Sequence, residues 1–151
     1  MLSPPTDPDP GGSGVRVQYA ALCYRIYNAK IGVLLITSRG TKRWIVPKGW
    51  PMQGKYPHEA ALKEAAQEAG VIGQVSSRAI GQFTYAKQMP DGSAVPCVGL
   101  VFPVRVRLLR AEYPEANERD RKWFSRKKAA RKVEEPELAE LIRTFDPAKL
   151  D

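Results

Sequence analysis

A single histidine, two cysteines and no long apolar run deprive this 151-residue chain of several common chemistries. Cys23 and Cys97 stand far apart in strand-like sequence and form no metal-ligand spacing, so they read as core residues of a reducing compartment rather than as a disulfide. The longest aliphatic stretch, residues 31–36, falls far short of the ~20 residues that cross a bilayer, which excludes a membrane-spanning helix. Residues 1–14 are rich in proline and glycine and lack the charged start and apolar run of a secretory signal. They read as a disordered leader to one domain over residues 15–146, with a short tail at 147–151. The expected location is cytoplasmic. His58, the only histidine, opens a helix and is expected at the surface rather than as a general base. Acidic residues are also scarce, 16 against 24 Lys and Arg, for a net charge of +8. Such a surface concentrates anionic partners.

Residues 47–71 supply what is present instead, a glycine-rich loop leading into a helix. Pro57 suits a first helical position, because its φ is already helical and its missing N–H would have no partner there. Gly70 supplies the stop. Over residues 57–69, Ala61, Ala65 and Ala69 mark a buried stripe, while Glu64, Gln67 and Glu68 converge on another face. The like-charge pair Glu64–Glu68 costs an isolated helix about a few tenths of a kcal/mol. A divalent cation reverses that sign, since carboxylates are hard oxygen ligands and Mg²⁺ is usually held by one or two of them with phosphate oxygens and water. Two glutamates alone would more often be a solvated face; the adjoining loop favours the metal.

The segment Gly49–Val71 resembles the Nudix box: Gly, five residues, Glu, seven residues, Arg-Glu, an aliphatic, any residue, Glu-Glu, any residue, Gly, an aliphatic. Gly49, Glu64, Glu68, Gly70 and Val71 take their places in it, whereas Lys55, Lys63 and Gln67 stand where the pattern has Glu, Arg and Glu. Cys23-Tyr24-Arg25, Leu34-Leu35-Ile36-Thr37-Ser38, Arg43-Trp44-Ile45-Val46-Pro47 and Arg121-Lys122-Trp123-Phe124 are similar to segments of diphosphoinositol polyphosphate phosphohydrolases and their bacterial relatives, over roughly residues 17–145. The resemblance implies an α/β/α sandwich with a mixed β-sheet. It also implies metal-dependent cleavage of a diphosphate linkage in a highly phosphorylated small molecule, either a diphosphoinositol polyphosphate or a dinucleoside polyphosphate. Glu64, Gln67 and Glu68 form the implied catalytic set, with Mg²⁺ or Mn²⁺ on Glu64, Glu68 and the backbone carbonyl of Lys48. Arg25, Ser38, Arg39, Arg43, Lys48 and Lys55 are the implied phosphate-binding residues. Gln67 can neither serve as a base nor add negative charge, so a base must come from elsewhere, with Glu112, Glu115 and Glu118 as sources. The alternative is a weakened domain that binds nucleotides or polyphosphates without efficient hydrolysis.

Periodicity predicts strands near 17–27, 31–37, 43–46, 74–88, 94–109 and 121–124, and helices from Ser125 to about 133 and from Pro136 onward. Trp44 and Trp123 are expected to pack the sheet. Trp50 either stacks on a nucleobase or anchors the loop, and Tyr85 and Lys87 share a strand face that could border a cleft. A second basic cluster, including Arg119, Arg121, Lys122, Arg126, Lys128, Arg131 and Lys132, reads as a solvated face or a nucleic-acid surface. The lack of an accompanying aromatic ladder argues against nucleic acid.

Overall fold

The computed structural model describes residues 14–150, so the proline-rich leader, Gly14 apart, lies outside the described residues. In chain order the elements are β1 (Arg16–Tyr27), β2 (Lys30–Thr37), β3 (Trp44–Ile45), β4 (Lys48–Gly49), α1 (Pro57–Ala69), β5 (Val71–Val75) and β6 (Gly81–Gln88). They continue with β7 (Ala94–Leu109), β8 (Arg121–Ser125), α2 (Arg126–Lys132), α3 (Pro136–Thr144) and a 3₁₀ turn at Pro147–Lys149. β1 and β7 pair in parallel, with Tyr19 opposite Leu100, and every other strand pairing is antiparallel. The path β3-β2-β1-β7-β5 forms the body of the sheet, with β4 added on β1, β6 on β7 and β8 on β2.

Strand alternation sorts the core into two layers. Ala20, Leu22, Tyr24, Val33, Leu35 and Phe124 pack on the side of α2 and α3. Tyr19, Ala21, Cys23, Leu34 and Ile36 pack on the side of α1. The result is an α/β/α sandwich around a mixed sheet, in which β1 must be apolar on both faces. Ala60, Ala61, Ala65 and Ala69 are fully buried beneath α1. Their small side chains let the helix lie close to the sheet, leaving its acidic residues along the margin of the contact.

Three expectations change. The run expected at 74–88 is two strands, β5 and β6, that pair with opposite halves of the 16-residue β7. Between them the chain turns at Ser76, whose hydroxyl accepts from the Arg78 N–H. The run expected at 43–46 shortens to β3, and beyond Pro47, which has no N–H to offer a ladder, the additional two-residue β4 pairs with β1. The expected tail is partly structured: Asp146 caps the 3₁₀ turn, and Leu150 packs against the core. Helix α1 matches its predicted span, and Ser125 caps α2 by accepting from the Lys128 N–H. Among the described residues, no helix is long and apolar enough to cross a membrane.

Candidate active site

Gly49 lies directly beneath α1. A Cβ built on it would sit 1.9 Å from Glu64 Oε2, so only glycine allows the loop and this carboxylate to share the space. One residue earlier, the Lys48 N–H donates to Glu68 Oε1 at 3.3 Å. The loop strand β4 is held in place by β1, with Lys48 opposite Ala20 and Gly49 opposite Tyr19. The glycine-rich loop and the acidic face of α1 therefore meet at two glutamates, as the helix spacing predicts.

Both glutamates are held above the usual carboxylate range. Burial pushes Glu68 up to about 8, against the pull of Arg119 and reinforced by the negative charge of Glu64. Burial also raises Glu64, while its hydrogen bond with Glu68 acts in the opposite direction. The two carboxyls titrate as a coupled pair in which each disfavours the ionisation of both together. A divalent cation fits this pair, because two adjacent carboxylates, Glu68 buried and Glu64 half-buried, are best ionised together with a compensating positive charge. Among the described residues, no three acidic, histidine or cysteine side chains gather tightly enough to hold a metal alone. Two carboxylates with the remaining positions left to backbone, water and phosphate oxygens are the donor set that suits Mg²⁺.

Gln67, on the same face, is engaged elsewhere. Its amide donates to Glu115 Oε2 at 3.0 Å, and its backbone carbonyl accepts from the Glu115 N–H at 3.1 Å. Arg119 holds the other oxygen of Glu115 through Nε at 2.8 Å, donates to the Thr37 carbonyl, and comes within 3.9 Å of Glu68. Burial would raise Glu115, but the hydrogen bonds from Gln67 and Arg119 outweigh it and hold this carboxylate below the usual range. Glu115 is thus favoured in the ionised form that can accept a proton, close to the carboxyls of α1 that could hold a cation. Of the three loop glutamates, Glu118 is exposed and paired with Arg39 at 2.9 Å, and Glu112 is exposed. Only Glu115 is turned inward.

The predicted phosphate-binding residues divide. Lys48 extends over the Tyr85 ring at 5.1 Å, and burial lowers its ammonium to about 8. Lys87 lies 5.9 Å over Trp50, and with Tyr85 two residues earlier on β6 it shares the strand face that Lys48 approaches. Arg43 reaches Glu135 at 3.1 Å and Glu134 at 3.7 Å, so it anchors the start of α3. Ser38 bonds to Thr41 and accepts from the Arg43 N–H, fixing the β2–β3 turn. Lys55 is partly buried at the base of α1, where its N–H closes a turn onto Met52. Arg25 is not brought to the site. It stacks on Trp123 at 4.2 Å, five residues along β1 from the Ala20 that pairs with Lys48, roughly 16 Å away at strand rise.

With this geometry in view, the comparisons are specific. A description of the NUDIX domain matches residues 16–145. Nudix hydrolase 13, mitochondrial, from Arabidopsis thaliana is 30% identical over 108 residues, covering 68% of this chain and 54% of that protein. Diphosphoinositol polyphosphate phosphohydrolase 3-beta from Bos taurus is 37% identical over 70 residues, 46% of this chain and 42% of that one. The chain spans about half the length of the relatives it matches. Among solved structures, a C. elegans Ap4A hydrolase superposes with a TM-score of 0.60 at 19% identity, over 84% of this chain and 92% of its own, which speaks to the fold. By its matched domain, its fold and the meeting of Gly49 with Glu64, this chain belongs to the Nudix family.

Proposed function

We propose that the chain is a metal-dependent hydrolase of diphosphate linkages in small molecules bearing several phosphates, such as diphosphoinositol or dinucleoside polyphosphates. The observation that carries this reading is the meeting of the glycine-rich loop with two neighbouring carboxylates of α1, Glu64 against Gly49 and Glu68 accepting from the Lys48 N–H. Glu64 and Glu68 would hold Mg²⁺ or Mn²⁺ together with the Lys48 backbone. When bound, that ion neutralises non-bridging phosphate oxygens and acidifies a bound water. Glu115, kept ionised by Gln67 and Arg119, accepts the proton of the attacking water. Lys48 and Lys87 line the cleft with positive charge that offsets charge developing on the departing phosphate. Trp50 and Tyr85 give that side of it a flat apolar surface against which a substrate can lie.

Phosphate release from a panel of diphosphates with Mg²⁺ and with Mn²⁺ tests the reading directly. Metal-dependent release supports it; tight binding of the panel without release favours a binding module. Because Lys48 and Lys87 stand near the site on a chain whose net charge is +8, kcat/KM is expected to rise with phosphate count. The double variant Lys48→Met/Lys55→Met should flatten that trend. Equal efficiency of the unmodified chain toward ADP-ribose and a substrate of five or more phosphates would assign these lysines to the loop alone.

The Gln67 position makes a sharper test. Gln67→Glu is nearly isosteric, but it replaces the donor to Glu115 with a second carboxylate 3.0 Å away. Two carboxyls at that separation either keep a proton between them, which takes Glu115 out of its base form, or take up a cation. The rate should therefore fall at low Mg²⁺ and recover at high Mg²⁺, giving a steeper metal dependence than the unmodified chain. Parallel Mg²⁺ titrations would show that Gln67 does not position Glu115.

A further inference from the structure

The second basic cluster separates into two kinds of residue once folded. Arg119 is bound to Glu115, Arg121 donates to the Ala69 carbonyl at the end of α1 at 2.7 Å, and Arg126 donates to the Phe145 carbonyl at 2.5 Å. These cations complete backbone and side-chain networks. Lys122, Lys128, Arg131 and Lys132 do not: among the described residues none has an ion-pair partner, and all four are exposed. They line a groove of about 610 Å³ between β8 and α2, and none of the residues lining it is acidic. Lys122 comes from the strand, while Lys128, Arg131 and Lys132 come from successive turns of the helix, so charge faces the groove from both walls. The ammonium groups of Lys122 and Lys132 converge over the same Phe124 ring, at 5.5 and 6.0 Å.

Gathering like charges in this way costs energy, about a few tenths of a kcal/mol for each i,i+3 or i,i+4 pair such as Lys128–Arg131 and Lys128–Lys132. A multivalent anion in the groove would relieve all of these repulsions together. Its two aromatic residues are already engaged: Phe124 is buried, packed edge-on against Trp44 and covered by lysines, and Trp123 packs against the α1-side core with the Arg25 guanidinium 4.2 Å over its ring. This favours phosphates without stacked bases. Its volume suits a small molecule rather than a long polymer. It also lies away from the glutamate pair, because Phe124 packs with α2 and α3 whereas α1 lies on the opposite layer of the core.

We propose that the groove between β8 and α2 is a second binding site for a compact, multiply phosphorylated ligand, independent of the chemistry at α1. Inorganic tripolyphosphate, titrated calorimetrically with EDTA present, is the probe, since this site needs no metal. Lys128→Gln/Arg131→Gln/Lys132→Gln removes three exposed charges with the fold checked by circular dichroism. It is expected to weaken binding about tenfold or more, equivalent to about 1.4 kcal/mol, while Lys48→Met in the other cleft leaves it within about twofold. Unchanged affinity in the triple variant, or loss in Lys48→Met alone, would overturn the proposal. A single-stranded oligonucleotide of ~12 nucleotides that binds through the same three residues more tightly than tripolyphosphate would overturn it in favour of nucleic acid. Vesicles containing a multiply phosphorylated inositol lipid distinguish the source: pelleting of the chain that tripolyphosphate reverses assigns the same phosphates to a headgroup, and binding of tripolyphosphate without pelleting assigns them to a soluble ligand.

Discussion

Glu68→Gln is expected to lower turnover by about two orders of magnitude or more while making the metal-free protein more stable at alkaline pH. The loss follows from removing one of two charged ligands at almost constant shape. The gain follows from linkage. Glu68 is raised to about 8 in the folded chain, against about 4.3 when unfolded. A group raised on folding contributes its full stability below the unfolded value and loses it as pH rises through the folded one. Metal-free protein should therefore weaken between about pH 4.5 and pH 8, by no more than about 1.4 kcal/mol per pH unit for this one proton. Glutamine has no such proton to lose. Denaturation in EDTA from pH 5 to 9 should show the two forms diverging with rising pH, and Mg²⁺ should rescue only the unmodified chain. Full activity in the variant with unaltered metal dependence would remove Glu68 from the site.

The same local chemistry explains which parts of the site were legible in the sequence. Helix α1 is bounded by Pro57 and Gly70, and Gly70 adopts the left-handed φ of 67° that ends a helix. Its three glutamate-like positions share a face through helical spacing alone, and local periodicity needs no tertiary information. Glu115 is different. Its partner Gln67 is 48 residues distant, and nothing in the loop sequence distinguishes it from Glu112 or Glu118. Arg43 shows the same limit from the other side: beside the loop in sequence, it is drawn to Glu135, 92 positions later. Proximity in the chain suggests a phosphate ligand, and in the fold its guanidinium faces the carboxylates of Glu134 and Glu135, which no local pattern reveals. Arg25 was misplaced because a strand carries its residues away at about 3.3 Å each, so five positions along β1 separate a residue from a site that another strand reaches directly. The division of 74–88 was hidden for a related reason. Both halves have strand-like composition, and the break is set by how β5 and β6 pair with different stretches of β7.

Gly49→Ala should abolish most activity without unfolding the chain, and it tests the geometry of the site rather than its charge. The added Cβ would meet Glu64 Oε2 at 1.9 Å, Cδ at 2.3 Å and Cγ at 2.9 Å. All three contacts are with one side chain, so Glu64 can swing aside and the backbone need not move. Gly49 has no positive φ among the described glycines that do, so alanine brings no backbone strain. The cost falls on function: a displaced Glu64 leaves Glu68 without its partner, and the paired carboxylates that accept a divalent cation are lost. Activity should fall about as far as in Glu68→Gln, with a folded circular dichroism spectrum. Because separating the pair also removes the charge of Glu64 that helps raise Glu68, the metal-free pH dependence of stability should become shallower than in the unmodified chain. An alanine variant that keeps its Mg²⁺-dependent rate would show that Glu64 does not need the space beside Gly49, and the two-carboxylate site would have to be redrawn around Glu68 and Glu115.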